Sequence, residues 1–296
     1  MLNQSESQDS YFRFAGVRFW TSSILPATVG TTLPFWLRPP GFVFKWPCAV
    51  EFLAAVVLFH AGFSFLLSFF KTKRSNVYPG TLLLILAGLC FMASCLLGWH
   101  INSGLTLHKG VYPHIFIIYG LAAIFVGLLY VVPPLCFYRR LGGEVIIAEG
   151  LALIPLLGAY LVQVGDITRK VYLVSIPLMA ATALWILTDE LVTRPRDEKS
   201  GRKTMAIDFG PKLIGKYVVP ALVMFLYVTL VLNVISKSLS AAALALVLFS
   251  GFGWKIAEVS MKNYPDPEKM IHARKYAVLL HLATGIILTL SSCFYY

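Results

Sequence analysis

The sequence predicts an all-α fold, a polytopic membrane protein of nine transmembrane helices in one domain spanning residues 1–296, and three observations carry that expectation. The chain is 58% hydrophobic and 13% charged, which leaves more apolar surface than a soluble domain can hide. Its apolar residues form long runs, and a spanning helix needs roughly 20 of them, about 30 Å at 1.5 Å per residue. The runs show little period-two alternation, which separates helices from the strands of a membrane barrel.

The nine runs are 19–37, 48–70, 80–99, 114–132, 145–164, 171–191, 217–235, 239–257 and 276–294, each bounded by a short polar gap. Arg38 and Lys45 separate the first two. Lys71, Lys73 and Arg74 close the second, Lys109 lies between the third and fourth, and Arg139 and Arg140 precede the fifth. Arg169 and Lys170 open the sixth, a basic stretch from Arg194 to Lys216 opens the seventh, Lys237 divides seventh from eighth, and Lys262 to Lys275 lead into the ninth.

Counting Lys and Arg by side puts 18 on the N-terminal face and six on the opposite one, with Lys255 inside a span. The positive-inside rule then places the N-terminus in the cytoplasm and the C-terminus on the other side. The net charge of +11 is explained by loops at an anionic lipid surface, so membrane lipid and not nucleic acid is the expected partner. Residues 1–11 are polar, include Glu6 and Asp9, and lack the basic start and short apolar core of a cleaved signal.

Cys48, Cys90, Cys95, Cys136 and Cys293 have no metal or redox spacing and read as reduced thiols. His100, His108 and His114 form no ligand set, and no phosphate loop or dinucleotide fingerprint is present. Lys255 and Glu258, three apart on one helix, are expected to pair, while Glu149 and His60 stand as polar groups within spans.

Residues 130–165 read YVVPPLCFYRRLGGEVIIAEGLALIPLLGAYLVQVG. This stretch resembles the central segment of the UbiA superfamily of intramembrane prenyltransferases, in its MenA branch, which prenylates dihydroxynaphthoate. Tyr130, Pro133, Pro134, Arg139, Arg140, Gly143, Glu144, Pro155, Gly158, Tyr160, Gln163 and Gly165 occupy the matching places. Residues 189–212, DELVTRPRDEKSGRKTMAIDFGPK, resemble the family's second aspartate-rich motif, with Gly201, Arg202, Lys203, Thr204 and Gly210 as its tail. Residues 18–30, with Pro26, Ala27, Thr28 and Gly30, are similar to its first helix.

The resemblance implies transfer of a polyprenyl group from its diphosphate to an aromatic quinone precursor, with Mg²⁺ holding the diphosphate. It implies catalytic roles for Asp189, Asp197 and Tyr130, Mg²⁺ at Asp189 and Asp197, and substrate contacts from Arg139, Glu144, Arg202, Lys203, Ser64 and Ser68. Mg²⁺ takes carboxylate, water and phosphate oxygens and offsets charge on a leaving diphosphate. Carboxylates at i, i+4 and i+8 share a helix face. Here Thr193 stands between Asp189 and Asp197, with Glu190 and Glu198 nearby. Where the family's first motif has carboxylates, this chain has Ser64, Ser68 and Thr72.

Two function classes therefore stand open. One is a prenyltransferase, with Lys71, Lys73, Arg74, Arg202 and Lys203 able to grip a diphosphate directly. The other is a catalytically degenerate protein that binds a quinone or isoprenoid lipid, as a subunit beside a membrane protein partner. A transporter, suggested only by several helices and scattered intramembrane charge, is the weaker third.

Overall fold

The computed structural model describes residues 20–72, 80–106 and 113–293. The polar N-terminal segment, Arg13, Arg18, Lys73, Arg74, His108 and Lys109 lie outside the described residues, as do Phe19 and Phe294 at the two ends of the expected spans. So do the side chains of Lys71, Thr72 and His114.

Among the described residues there is no strand, and nine long helical segments stand where the nine apolar runs are. They are α1 (Thr21–Leu37), α2 (Trp46–Thr72), α3 (Gly80–Thr106), α4 (Pro113–Val131), α5 (Gly143–Val164) and α6 (Arg169–Lys199), followed by a four-residue turn of helix, α7 (Met205–Asp208). The last three are α8 (Pro211–Ile235), α9 (Ala241–Asn263) and α10 (Pro267–Cys293). Seven are long and apolar enough to cross a membrane. The other two, α1 with 17 residues and α4 with its apolar stretch Ile115–Val131, are helical in the expected places but shorter.

Helix α6 is the centre of the bundle and packs against α5, α8 and α10. Val171, Val174, Leu178, Ala181, Leu184 and Leu191 along it are fully buried. Small residues on its partner α10, Ala273 and Ala277, are buried in the bundle, and Gly285 on the same helix admits Leu25 of α1, whose side chain an added Cβ would overlap. Outward-facing apolar side chains such as Leu89, Met92 and Leu96 on α3 and Met224, Val228 and Leu232 on α8 are exposed. In water such surfaces would associate, whereas in a bilayer they meet acyl chains.

Three departures from the sequence expectation stand out, and the first two lie on helices that line the site. Helix α6 does not stop near Leu191 but continues to Lys199 through Pro195, which removes only one helical donor close to the helix end. Helix α5 contains a π turn over Glu149–Leu153, which shifts the register of every side chain after it. Helix α9 begins as 3₁₀ winding over Ala241–Phe249. The expected pair on α9 is formed: Lys255 donates to Glu258 at 2.9 Å, and Lys262 donates to the other carboxylate oxygen at 2.9 Å. The five cysteines are free thiols.

Gly30 sets the contact between α1 and α5, because a methyl group there would overlap the Leu156 carbonyl. Gly30→Ala is expected to lower stability by about 1–3 kcal/mol through overpacking. Gly88→Ala, where nothing lies within 4 Å of an added Cβ, should leave stability unchanged or raise it. Thermal unfolding in detergent compares the two, and equal midpoints would rule out the close approach of α1 to α5.

Candidate functional site

A cavity of about 500 Å³ lies among α2, α3, α4, α5 and α6. Its body is apolar, walled by Phe52, Phe59, Phe63, Leu67, Phe116 and Ile124. Phe59 and Phe63 meet edge to face with ring centroids 4.9 Å apart, and Phe63 meets Phe91 at 4.8 Å. Gly127 on α4 leaves room for the Phe63 ring, which a Cβ at that position would overlap. Trp99, Ile117 and Leu121 line the cavity yet are largely exposed, which places a lateral opening between α3 and α4.

One end of the cavity is charged. Tyr130 from the end of α4, Asp189, Glu190, Thr193 and Arg196 from α6, and Arg202 from the following turn converge there. The turn is a Schellman cap: Gly201 has φ +69°, its N–H donates to the Glu198 carbonyl, and the Arg202 N–H donates to the Asp197 carbonyl. This reversal folds Arg202 back over the helix it leaves. Its Nε donates to the Tyr138 carbonyl at 2.7 Å and its Nη1 to Asp197 Oδ2 at 3.3 Å. Burial disfavours the guanidinium charge, but Tyr130, Asp197, Glu190 and Glu144 around it outweigh that and raise its pKa above the usual arginine range.

The expected site residues divide between the cavity and its scaffold. Tyr130, Asp189, Arg202 and Ser64 line the cavity. Asp197 is 3% exposed and accepts from Thr193 at 2.7 Å as well as from Arg202. Glu144 is also buried. Its two oxygens accept the Gly142 and Met205 backbone N–H groups at 3.1 and 2.8 Å, tying the start of α5 to α7. Arg139 donates to the Ser200 carbonyl at 3.2 Å, and the Lys203 N–H donates to the Arg139 carbonyl at 3.0 Å. The structure therefore brings Glu144, Arg139 and Lys203 together as braces of the loop, outside the cavity wall. Ser68 Oγ donates to the Ser64 carbonyl at 2.8 Å and does not reach the wall either.

Sequence spacing passed over two residues of the charged end, Glu190 and Arg196. Both lie on α6 within the second motif at the edges of the Asp189–Thr193–Asp197 face, Arg196 seven residues after Asp189 and Glu190 seven before Asp197, and both line the cavity. The extension of α6 past Leu191 is what brings Arg196 to the wall. Halfway along the cavity His60 Nδ1 and Ser23 Oγ are 2.8 Å apart. At the far end Asn102 Oδ1 is buried without a partner, and the Tyr119 hydroxyl is buried beside the Gly158 backbone.

The donor set does not fit a resident Mg²⁺. Asp189 Oδ1 accepts from Arg274 at 3.1 Å, Asp197 is engaged by Thr193 and Arg202, and the first-motif positions offer hydroxyls. Among the described residues no group of three or more His, Cys, Asp or Glu side chains is placed to hold a metal ion. A hard divalent ion takes several oxygen ligands, and here both second-motif aspartates already accept hydrogen bonds from protein donors, Arg274 on Asp189 and Thr193 and Arg202 on Asp197.

No protein-family model and no curated protein sequence matches the chain. Among solved structures it is similar to a digeranylgeranylglyceryl phosphate synthase, at TM-score 0.66 and 13% identity over 97% of this chain and 99% of that one. It is also similar to a UbiA homolog from Archaeoglobus fulgidus bound to Cd²⁺, at TM-score 0.61 and 14% identity over 94% and 98%. A UbiA homolog from Aeropyrum pernix K1 matches at TM-score 0.62 and 16% identity over 93% and 96%. At these identities the likeness establishes the architecture alone, the helical fold shared by that synthase and the UbiA homologs.

Proposed function

We propose that the chain is a prenyltransferase-type protein of the MenA kind, taking a polyprenyl diphosphate and an aromatic quinone precursor in this one cavity. The observation that carries the reading is a single apolar, aromatic-walled cavity open towards lipid and closed at one end by Arg196 and Arg202. A polyprenyl tail moving from lipid into such a cavity gains little from apolar transfer, since both surroundings are apolar. Selection must come from the head, and guanidinium groups match phosphate oxygens in charge and geometry.

In transfer, the bond between the prenyl C1 and the diphosphate oxygen breaks and its electron pair leaves with the diphosphate. Arg196 and Arg202 offset that growing charge. The allylic cation is held against aromatic faces, including Tyr130, where ring quadrupoles favour positive charge. A ring carbon of the acceptor then bonds to C1 and loses its proton. The charged end faces the cytoplasm in this reading, with nine spans, the N-terminus inside and the C-terminus on the opposite side, as the charge asymmetry of the loops supports.

A second reading rests on Ser64 and Ser68 standing where carboxylates are expected, and on Asp189 and Asp197 being engaged by Arg274 and Arg202. In it the same cavity holds an isoprenoid or quinone permanently, and the chain serves a membrane protein partner. The deciding assay follows labelled polyprenyl transfer from its diphosphate to dihydroxynaphthoate by the purified protein, with Mg²⁺ and with chelator. Product is expected, with less than about ten-fold loss on chelation, because arginine charge carries the diphosphate. No product from protein that purifies with an isoprenoid would favour the second reading, and neither product nor bound isoprenoid would remove both.

A further inference from the structure

We infer that Glu190 is a specificity-determining residue that receives a hydroxyl of the head group in this cavity and so separates a reduced, hydroxyl-bearing ring from its oxidised or etherified form. The inference rests on the proposed reading only in taking the cavity to hold a ring-bearing ligand.

Glu190 is 3% exposed, lines the charged end of the cavity beside the Glu144 carboxylate, and no donor group of the protein reaches either of its carboxylate oxygens. Its charged neighbours are Glu144, Arg202 and Asp197. Glu144 accepts two backbone N–H groups, and Arg202 donates to Asp197 and to the Tyr138 carbonyl. The adjacent Asp189 is held by Arg274. Each of these groups is engaged by a donor or acceptor in the protein, and Glu190, on the cavity lining, is alone among the four carboxylates in having no protein donor on either oxygen.

A buried carboxyl without donors is costly, so something entering the cavity supplies them. A cationic head would be repelled by Arg196 and Arg202, and a second anion beside the diphosphate that those arginines hold would be repelled by Glu190 and Asp189. A neutral O–H suits both sets of neighbours. A phenol or hydroquinone can donate to Glu190, whereas a quinone carbonyl or a methyl ether can only accept. Sites built around such a donor discriminate strongly against analogues that lack it, because the buried acceptor is left unpaired.

The test compares 1-naphthol with 1-methoxynaphthalene, nearly equal in shape, binding to the full chain in lipid nanodiscs and corrected against empty discs. The wild-type protein should prefer naphthol by at least about ten-fold, and Glu190→Gln should reduce that preference to less than about three-fold. Equal affinities in the wild type, as when a water satisfies Glu190, would overturn the inference, as would a preference unchanged in the variant. Glu190→Asp, which withdraws the carboxylate by one methylene, gives an intermediate preference if the glutamine variant does not fold. Geranylgeranyl diphosphate binding on the same wild-type discs tests the underlying reading separately. If the diphosphate binds while the hydroxyl preference is absent, only the Glu190 inference falls. If the preference is present and the diphosphate does not bind, only the diphosphate reading falls.

Discussion

Arg202→Met is expected to lower the stability of the protein by about 3–5 kcal/mol, the usual consequence of leaving one member of a buried ion pair alone. The magnitude follows from what remains behind. Asp197, whose side chain is 4% exposed, keeps only the Thr193 hydroxyl as a side-chain donor, and the Tyr138 carbonyl loses its 2.7 Å guanidinium donor. Because that carbonyl belongs to the loop between α4 and α5, the damage spreads to the brace formed by Arg139, Ser200 and Lys203. Thermal unfolding in detergent reads the loss, and geranylgeranyl diphosphate affinity should fall at least about ten-fold in the same variant.

The double variant Arg202→Met, Asp197→Leu separates the two roles. With both charges gone no buried ion is left unpaired, so most of the lost stability should return. Diphosphate binding should not return, since the phosphate-facing cation is still missing. Recovery of both would show that Arg202 acts only as a brace. Recovery of neither would show that the loop, and not the ion pair, carries the energy.

The fold was legible because its signal is long and redundant. Nine apolar runs separated by charged gaps survive errors of several residues at each boundary, and each run is helical in the structure. The site was legible only in part. Four-residue spacing on α6 selects Asp189 and Asp197, yet Asp197 turns out to be a structural partner of Arg202. Glu190, one residue after Asp189 and about 100° around the helix from it, is the carboxylate of the cavity lining that no protein donor reaches.

Arg196 was hidden for a related reason. A sequence rich in charge with a proline at 195 reads as a helix end, and only the continued helix brings Arg196 to the wall. The π turn at Glu149–Leu153 has no sequence signature that spacing arguments can use, although it fixes which residues of α5 face the cavity. The Gly-Glu turn shows the opposite case. Gly143 and Glu144 are read correctly as a conspicuous element, but their chemistry is capping and bracing: a Cβ at 143 would overlap the Phe137 carbonyl, and Glu144 satisfies two backbone donors.

Gly120→Phe is expected to weaken geranylgeranyl diphosphate binding at least about ten-fold while sparing a five-carbon prenyl diphosphate, because buried overlap in a close-packed site is not relieved by small shifts. Gly120 lines the cavity on α4, towards the end opposite Glu190 and Arg202, and nothing lies within 4 Å of a Cβ built there. The new ring therefore enters space that only a long tail would use. Replacing a helical glycine also removes backbone freedom from the unfolded chain, so the fold should be kept or slightly strengthened. This separates the substitution from the Arg202 variants, which act on head and stability together. Binding of five-carbon and twenty-carbon diphosphates to the same folded variant is the measurement. Equal weakening of both would mean that the tail does not run along this wall, and undiminished twenty-carbon binding would place it outside the cavity altogether.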